Sequence, residues 1–140
     1  MGNRRKAREY ALQSLYMYES VRVPIEELLQ IKWIEKEIPD EIRDFTSNLI
    51  EGSIKNIDYI DSLIIEYARN WKFERISVID KSILRISIYA LIYIDDVPSA
   101  VTINEGIELA KKYGDEGSGQ FINGILDTIK NKKQKGQGDP

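Results

Sequence analysis

The stretch Ile76–Ile94, ISVIDKSILRISIYALIYI, is the part of the sequence that decides the fold. Wound as a helix, it is apolar on nearly every side, because its isoleucines and leucines recur at steps of three and four residues. Its one polar edge is narrow and consists of Lys81, Ser82, Arg85 and Tyr89. A helix with so little polar surface is typical of the centre of a bundle, so the sequence predicts that other helices pack around it.

Two other interpretations of this stretch are weaker. Its length suits a membrane span, but Asp80, Lys81 and Arg85 would then lie in lipid at a high energetic cost. Isoleucine also favours strands, but the helical spacing and the lack of internal turn residues favour a helix.

Helical periodicity recurs on both sides of the central stretch. The segments with this pattern are Arg4–Glu19, Ile25–Glu35, Glu41–Asn56, Ile57–Tyr67, Pro98–Tyr113 and Gln120–Asn131. Prolines mark the breaks between several of them, and Asp40 is the expected N-cap of the helix that begins at Glu41. The sequence therefore predicts an all-α fold, a compact bundle of about seven helices. It also predicts one domain over residues 1–131 and a flexible Lys-rich tail over residues 132–140.

Glycines and aromatic residues give further local expectations. Gly114 is expected in the left-handed conformation just beyond a helix end. Gly124 lies inside the last helical pattern, where a missing side chain would permit a close helix crossing. Trp71 and Phe73 stand in a polar connector and are expected to form a buried aromatic plug.

Composition argues against several classes of function. The 140 residues contain no cysteine and no histidine, which removes thiolate chemistry, the usual general base and the commonest metal ligand. The Asp95-Asp96 pair does not suggest a catalytic site, because adjacent helical residues diverge by about 100°. We therefore expect no enzyme activity, no cofactor and no metal site, and the absence of cysteine favours the cytoplasm.

Basic residues are concentrated at the two ends of an otherwise acidic chain. Arg4, Arg5, Lys6 and Arg8 open the sequence, four lysines lie between residues 130 and 135, and the formal net charge is −3. Arg4 and Arg8 lie on the same helical stripe as Leu12, so they extend a buried face toward a phosphate or a partner carboxylate. An internal ion pair with Glu or Asp is the alternative role for Arg8.

Four blocks of sequence resemble the NusB family of bacterial transcription antitermination factors. They are RRKARE at Arg4–Glu9, IDKSILRI at Ile79–Ile86, DVP at Asp96–Pro98 with INE at Ile103–Glu105 and ELAK at Glu108–Lys111, and FINGILD at Phe121–Asp127. Each block is weak singly, but their order and spacing match the family over nearly the whole chain. The chain departs at Ala90, Gly106 and Tyr113, where Glu, Ala and Phe are common in the family.

The resemblance implies a fold of two packed helical lobes and a function in transcription. Members bind the single-stranded boxA element of nascent RNA together with NusE, a small-subunit ribosomal protein. The complex joins other Nus factors on RNA polymerase and suppresses termination in ribosomal-RNA operons. No membrane and no small-molecule substrate are implied.

The resemblance also implies two sets of site residues. RNA is placed on Arg4, Arg5, Lys6, Arg8, Gln13, Lys112, Tyr113 and Gln120, and NusE on Tyr16 and Asp80. Physically, the cations suit phosphates and Tyr113 suits base stacking. Inward packing of Tyr113 and helix-dipole stabilisation of Asp80 are adequate alternatives. A helical protein-interaction module with incidental basic ends is the alternative function.

Overall fold

Over the residues that the structure describes, the chain forms a bundle of α-helices with one short 310-helix. A computed structural model describes residues 2–31 and 37–135, and no strand occurs in these ranges. The helices are α1 (Gly2–Ser20), α2 (Ile25–Leu28), α3 (Asp40–Lys55), α4 (Ile57–Tyr67), α5 (Val78–Tyr93), α6 (Ser99–Tyr113) and α7 (Ser118–Lys135), with the 310-helix at Phe73–Arg75. The predicted all-α class is confirmed. No helix in the described ranges is long and apolar enough to cross a membrane.

Helix α5 is the centre of the bundle, as its sequence predicts. Every side chain from Lys81 to Leu91 is buried, and α5 contacts α1, α3, α4, α6 and α7. The other helices form two lobes around it: α1, α2 and α3 contact one another, and α7 contacts both α4 and α6. Ser77 caps α5, since its Oγ accepts a hydrogen bond from the Asp80 N–H at 3.1 Å.

Side-chain contacts give the directions of the helices around α5. Ser118 at the start of α7 contacts Asp80 in the first turn of α5, and the Lys133 ammonium donates to the Leu91 carbonyl in its last turn, so α7 runs parallel to α5. Helix α1 runs the opposite way, with Arg4 paired to Asp96 just beyond the end of α5. The amino-terminal cations therefore lie near the carboxyl end of α5.

The polar edge of α5 is buried against charged groups from two other helices. Arg85 is 3% exposed, and its Nε and Nη2 donate to both carboxylate oxygens of Asp61 on α4 at 2.8 Å. Its Nη1 donates to Glu19 on α1 at 2.7 Å. Asp61 is therefore a bidentate partner of Arg85. This buried pair network joins α1, α4 and α5.

Several predicted element boundaries need correction. The helix predicted over Ile25–Glu35 is short, because α2 ends at Leu28 and Ile31 adopts a φ of 54°; residues 32–36 lie outside the described residues. Asp40 is the first residue of α3, and its N-cap is Pro39 without a side-chain hydrogen bond. Helix α7 continues past the predicted end at Asn131 to Lys135, so residues 132–135 are helical; residues 136–140 lie outside the described residues.

The glycine expectations were also wrong in detail. A Cβ built on Gly124 meets nothing within 4 Å, whereas one on Gly106 would lie 3.0 Å from the Ser87 Oγ, so the close crossing is between α6 and α5. Gly114 has a φ of −93° and is not left-handed. Glycine is still required there, because a Cβ would lie 2.7 Å from the Ser118 Oγ. The left-handed residue of the loop is Gly117, with a φ of 91°.

We expect Gly52→Ala to lower the free energy of unfolding by about 1–3 kcal/mol, as overpacking of a core does. A Cβ on Gly52 would lie 2.0 Å from the Cζ of Tyr89, whose hydroxyl donates to Asn48 at 2.6 Å. The ring must move and that hydrogen bond must stretch. Urea denaturation measures the effect, with Gly124→Ala as the matched control that is expected to gain up to about 1 kcal/mol. Equal stability of the two variants would contradict the packing at Gly52.

Candidate nucleic-acid interface

Ion pairs join α1 to α6 along one side of the bundle. Arg5, Glu9 and Gln13 are spaced by four residues and share one face of α1. The Arg5 Nε and Nη2 donate to the two carboxylate oxygens of Glu105 at 3.0 and 2.7 Å. Further along both helices, the Lys112 Nζ donates to Glu9 at 2.7 Å. Arg5 and Lys112, two predicted RNA-binding residues from distant parts of the sequence, therefore lie on the same side of the bundle.

Arg4 and Arg8 lie on the neighbouring face of α1, above the ring of Phe45 from α3. Their guanidinium carbons are 4.4 and 5.4 Å from the ring centroid, a distance typical of cation–π contacts. Arg4 is also 3.2 Å from Asp96, and the Arg8 Nη1 is 3.7 Å from the Glu105 Oε1. Arg8 is only 8% exposed. The internal ion pair considered for Arg8 is therefore present in the structure.

Glu105 is the carboxylate shared by two of these arginines. The hydrogen bond from Arg5, followed by the charges of Arg5 and Arg8, outweighs burial and lowers the pKa of Glu105. Burial lowers the pKa of Arg8, partly opposed by Glu105, although an arginine stays charged at any physiological pH. Glu105 therefore remains ionised and compensates a buried guanidinium.

An apolar groove follows the ion pairs toward the amino end of α5. Its volume is about 310 Å³, and it is lined by Leu12, Gln13, Tyr16, Met17, Ile79 and Tyr113. Tyr113 is half-buried against the core, with the Lys112 Nζ at 5.4 Å from its ring centroid. Tyr16 is 42% exposed and Gln13 is exposed. The groove joins residues of the predicted RNA set to one residue of the predicted NusE set.

Gln120 lies apart from this groove. It is exposed in the first turn of α7 and lines a surface depression with Lys111, Gly114, Gly119 and Asn123. Lys6 is exposed on α1, with its Nζ 3.9 Å from Glu9. The structure therefore groups seven of the eight predicted RNA residues on or beside the α1–α6 side and separates Gln120 from them.

Asp80 has an unusual environment at the start of α5. Its Oδ2 accepts a hydrogen bond from Ser118 at 3.2 Å, while its Oδ1 is buried without a hydrogen-bond partner among the described residues. Desolvation, assisted by the charge of Asp115, outweighs the bond from Ser118 and raises the pKa of Asp80. A carboxyl group with a raised pKa beside a surface depression is a candidate functional group.

Trp71 lies beside Asp80, and its expected burial was wrong. It is 58% exposed and packs edge-on against Phe121 at 5.8 Å between ring centroids. Both rings line a depression that also contains Asp80 and Asp115. Tyr16 and Asp80 line different depressions, although Ile79, which precedes Asp80, lies in the groove of Tyr16.

Sequence reasoning gave no role to the residues that organise the basic side of α1. Glu9, Asp96 and Glu105 belong to the quoted sequence blocks, but only the folded chain pairs them with cations up to 103 residues away. Phe45 carried no signal beyond its helical spacing. Among the described residues no group of three or more acidic side chains is placed to hold a metal ion.

Comparison with known proteins gives a consistent family. The family model described as the NusB family matches residues 5–131. The transcription antitermination protein NusB of Syntrophus aciditrophicus (strain SB) is 48% identical over 135 residues, which cover 96% of this chain and 84% of that protein.

Solved structures agree with this match. A crystal form of T. maritima NusB has a TM-score of 0.84 and 37% identity, with 91% of this chain and 90% of that chain covered. A structure of the antitermination factors NusB and NusE in complex with dsRNA has a TM-score of 0.78, covering 94% and 98% of the two chains. At 24% identity, this second likeness is one of fold alone.

Proposed function

Because the chain belongs to the NusB family, we propose that it is a cytoplasmic transcription antitermination factor that binds single-stranded boxA RNA together with NusE. In this role it helps to suppress termination in ribosomal-RNA operons, with other Nus factors and RNA polymerase as indirect partners. The observation that carries the proposal is the α1–α6 side of the bundle, where Arg4, Arg5, Lys6 and Lys112 form ion pairs and a groove lined by Gln13 and Tyr113 lies further along α1.

The chemistry of this side suits a single strand. Phosphates are bound by exposed cations, and the side chains of Lys6 and Lys112 are 51% and 58% exposed. Gln13 and Tyr113 line the adjoining groove, where a base can meet an amide and an aromatic ring. Arg8 acts from beneath the surface, since it is buried and paired with Glu105. Gln120 supplies an outlying contact.

Fluorescence anisotropy with short labelled RNAs tests the proposal. The probes are a boxA-like single strand, a scrambled strand and a duplex, each titrated with and without NusE across a salt series. We expect preference for the boxA-like strand, an increase in affinity with NusE and a steep loss of affinity with salt. Equal weak binding to all three RNAs, indifferent to NusE, would favour a protein-interaction module instead.

We propose that NusE contacts the region of Tyr16 and Asp80, and we expect Asp80→Asn to weaken NusE binding more than RNA binding by the isolated chain. The variant should fold, because its amide oxygen can still accept from Ser118. A raised carboxyl pKa means that ionisation of Asp80 opposes folding above the unfolded-state pKa. The variant should therefore be as stable as the parent or more so at neutral pH, and this difference should vanish in acid.

Calorimetric titration with NusE and anisotropy with RNA give the two affinities for the Asp80→Asn comparison. Glu74→Gln, an exposed acidic position in the 310-helix, is the matched control. A larger loss of RNA binding than of NusE binding would mean that the two faces have been assigned the wrong way round.

A further inference from the structure

The cations of the proposed RNA surface are paired with the chain's own carboxylates. Arg4 pairs with Asp96, Arg5 and Arg8 with Glu105, and Lys6 and Lys112 with Glu9. A phosphate that approaches this surface therefore meets cations that are already partly neutralised. The carboxylates differ in whether the cations that they pair with are buried or exposed, and this difference distinguishes the role of Glu105 from that of Glu9.

Glu105 stabilises the folded chain through its ion pairs. Its bidentate bonds to Arg5 and its pair with the buried Arg8 mean that removing its charge would leave a nearly inaccessible guanidinium without its carboxylate. Loss of one partner of a buried pair is strongly destabilising. Glu105 is therefore a structural partner of the arginines.

Glu9 holds two exposed cations instead. Its own side chain is 12% exposed, while those of Lys112 and Lys6 are 58% and 51% exposed. The Lys112 Nζ is 2.7 Å and the Lys6 Nζ 3.9 Å from its oxygens. Each ammonium carries three N–H groups and stays accessible to solvent, so either cation can exchange the carboxylate for a phosphate without unfolding anything.

We propose that Glu9 competes with RNA phosphates for Lys112 and Lys6 and so limits the affinity of the chain for any RNA. The proposal rests on the RNA-binding function given above. Because a phosphate contact carries no sequence information, this limit bears equally on cognate and non-cognate strands. Glu9 thereby lowers the affinity that charge alone provides and leaves selectivity to contacts with the bases and to NusE.

The test is Glu9→Gln, which keeps the shape and removes the charge. We expect affinity for both boxA-like and scrambled strands to rise about two- to fivefold near 0.1 M salt, as the loss of one exposed ion pair allows. The salt dependence should also steepen, by less than about 0.7 in its logarithmic slope for each cation, because Glu9 withholds only part of each cation's charge from the phosphates. Anisotropy titrations across the salt series measure both quantities.

Two further variants make the result specific. Glu51→Gln removes the same charge from an exposed pair with Lys55 on α3, remote from the proposed surface, and should leave both the affinity and the slope unchanged. Glu105→Gln should instead lower the melting temperature, because it exposes the structural role of that carboxylate.

The outcomes distinguish the inference from the function on which it rests. If the unmodified chain shows no salt-dependent RNA binding, the proposed function itself fails. If it binds RNA and Glu9→Gln binds with unchanged or lower affinity, the competition is refuted while the function stands. A rise in affinity with Glu51→Gln as large as that with Glu9→Gln would also refute it, because net charge would then suffice.

Discussion

Arg85→Met is expected to lower the free energy of unfolding by about 3–5 kcal/mol, the usual cost of breaking a buried ion pair by removing one partner. The guanidinium makes three hydrogen bonds of 2.7–2.8 Å to Asp61 and Glu19, and its side chain is 4% exposed. Methionine fits the aliphatic part of the space but leaves two carboxylates without their donor. Urea denaturation at neutral pH measures the loss.

The control for this variant is Lys55→Met on α3. Lys55 also pairs with a carboxylate, but both partners are exposed, so its loss should change stability by less than about 1 kcal/mol. An effect of Arg85→Met as small as that of Lys55→Met would mean that the network contributes little to the fold.

The ion pair between Arg85 and Glu19 should also make the stability of the chain depend on pH. The hydrogen bond from Arg85, opposed by burial, lowers the pKa of Glu19 below its ordinary value. A lowered carboxyl pKa contributes stability above the unfolded-state pKa of about 4.3, and this contribution is lost as the pH falls toward the folded-state pKa. The stability of the parent should therefore decline in acid below about pH 4 more steeply than that of Arg85→Met.

The double variant Arg5→Ala/Lys112→Ala is expected to lower RNA affinity by up to about 25-fold at 0.1 M salt. Each lost phosphate contact to a single strand reduces the logarithmic salt slope by about 0.7, which corresponds to about fivefold in affinity at that salt concentration. Both side chains are solvent-accessible and take part in the α1–α6 ion pairs. Anisotropy titrations should show the slope becoming shallower by up to about 1.4.

A matched double variant separates local from global charge in that experiment. Lys55→Ala/Arg69→Ala removes two exposed cations from α3 and from the turn after α4, and it should leave the affinity nearly unchanged. Equal losses in the two double variants would indicate that RNA responds to net charge alone. No loss in either would remove Arg5 and Lys112 from the interface.

Periodicity predicted the long helices because their burial is itself periodic. The repeat of isoleucines in α5 is strong enough to place the helix within two residues of its observed ends. The segment after Pro24 failed for the converse reason. Its pattern is compatible with a longer helix, but the backbone turns at Ile31, and local propensity carries no information about that tertiary choice.

The polar groups were harder to predict than the apolar ones. Lys81 and Arg85 interrupt an apolar stretch, and the sequence alone does not reveal that Glu19 and Asp61 neutralise them inside the bundle. Likewise Trp71 has a large aromatic side chain of the kind found in protein cores, but it is largely exposed to solvent. The burial and the ion-pair partners of these residues depend on which distant segments pack together. One sequence read by itself does not specify that packing.

The ion pairs between α1 and α6 also determine when, during synthesis, the cations of α1 can acquire their carboxylate partners. Arg5 and Glu105 are separated by 100 residues, so this cation near the start of the chain emerges long before its partner. At about 5–20 residues per second, the delay amounts to about 5–20 s. Throughout that interval Arg4, Arg5 and Arg8 lack the carboxylates that pair with them in the folded chain, and α1 acquires its final electrostatic character only when α6 has been translated.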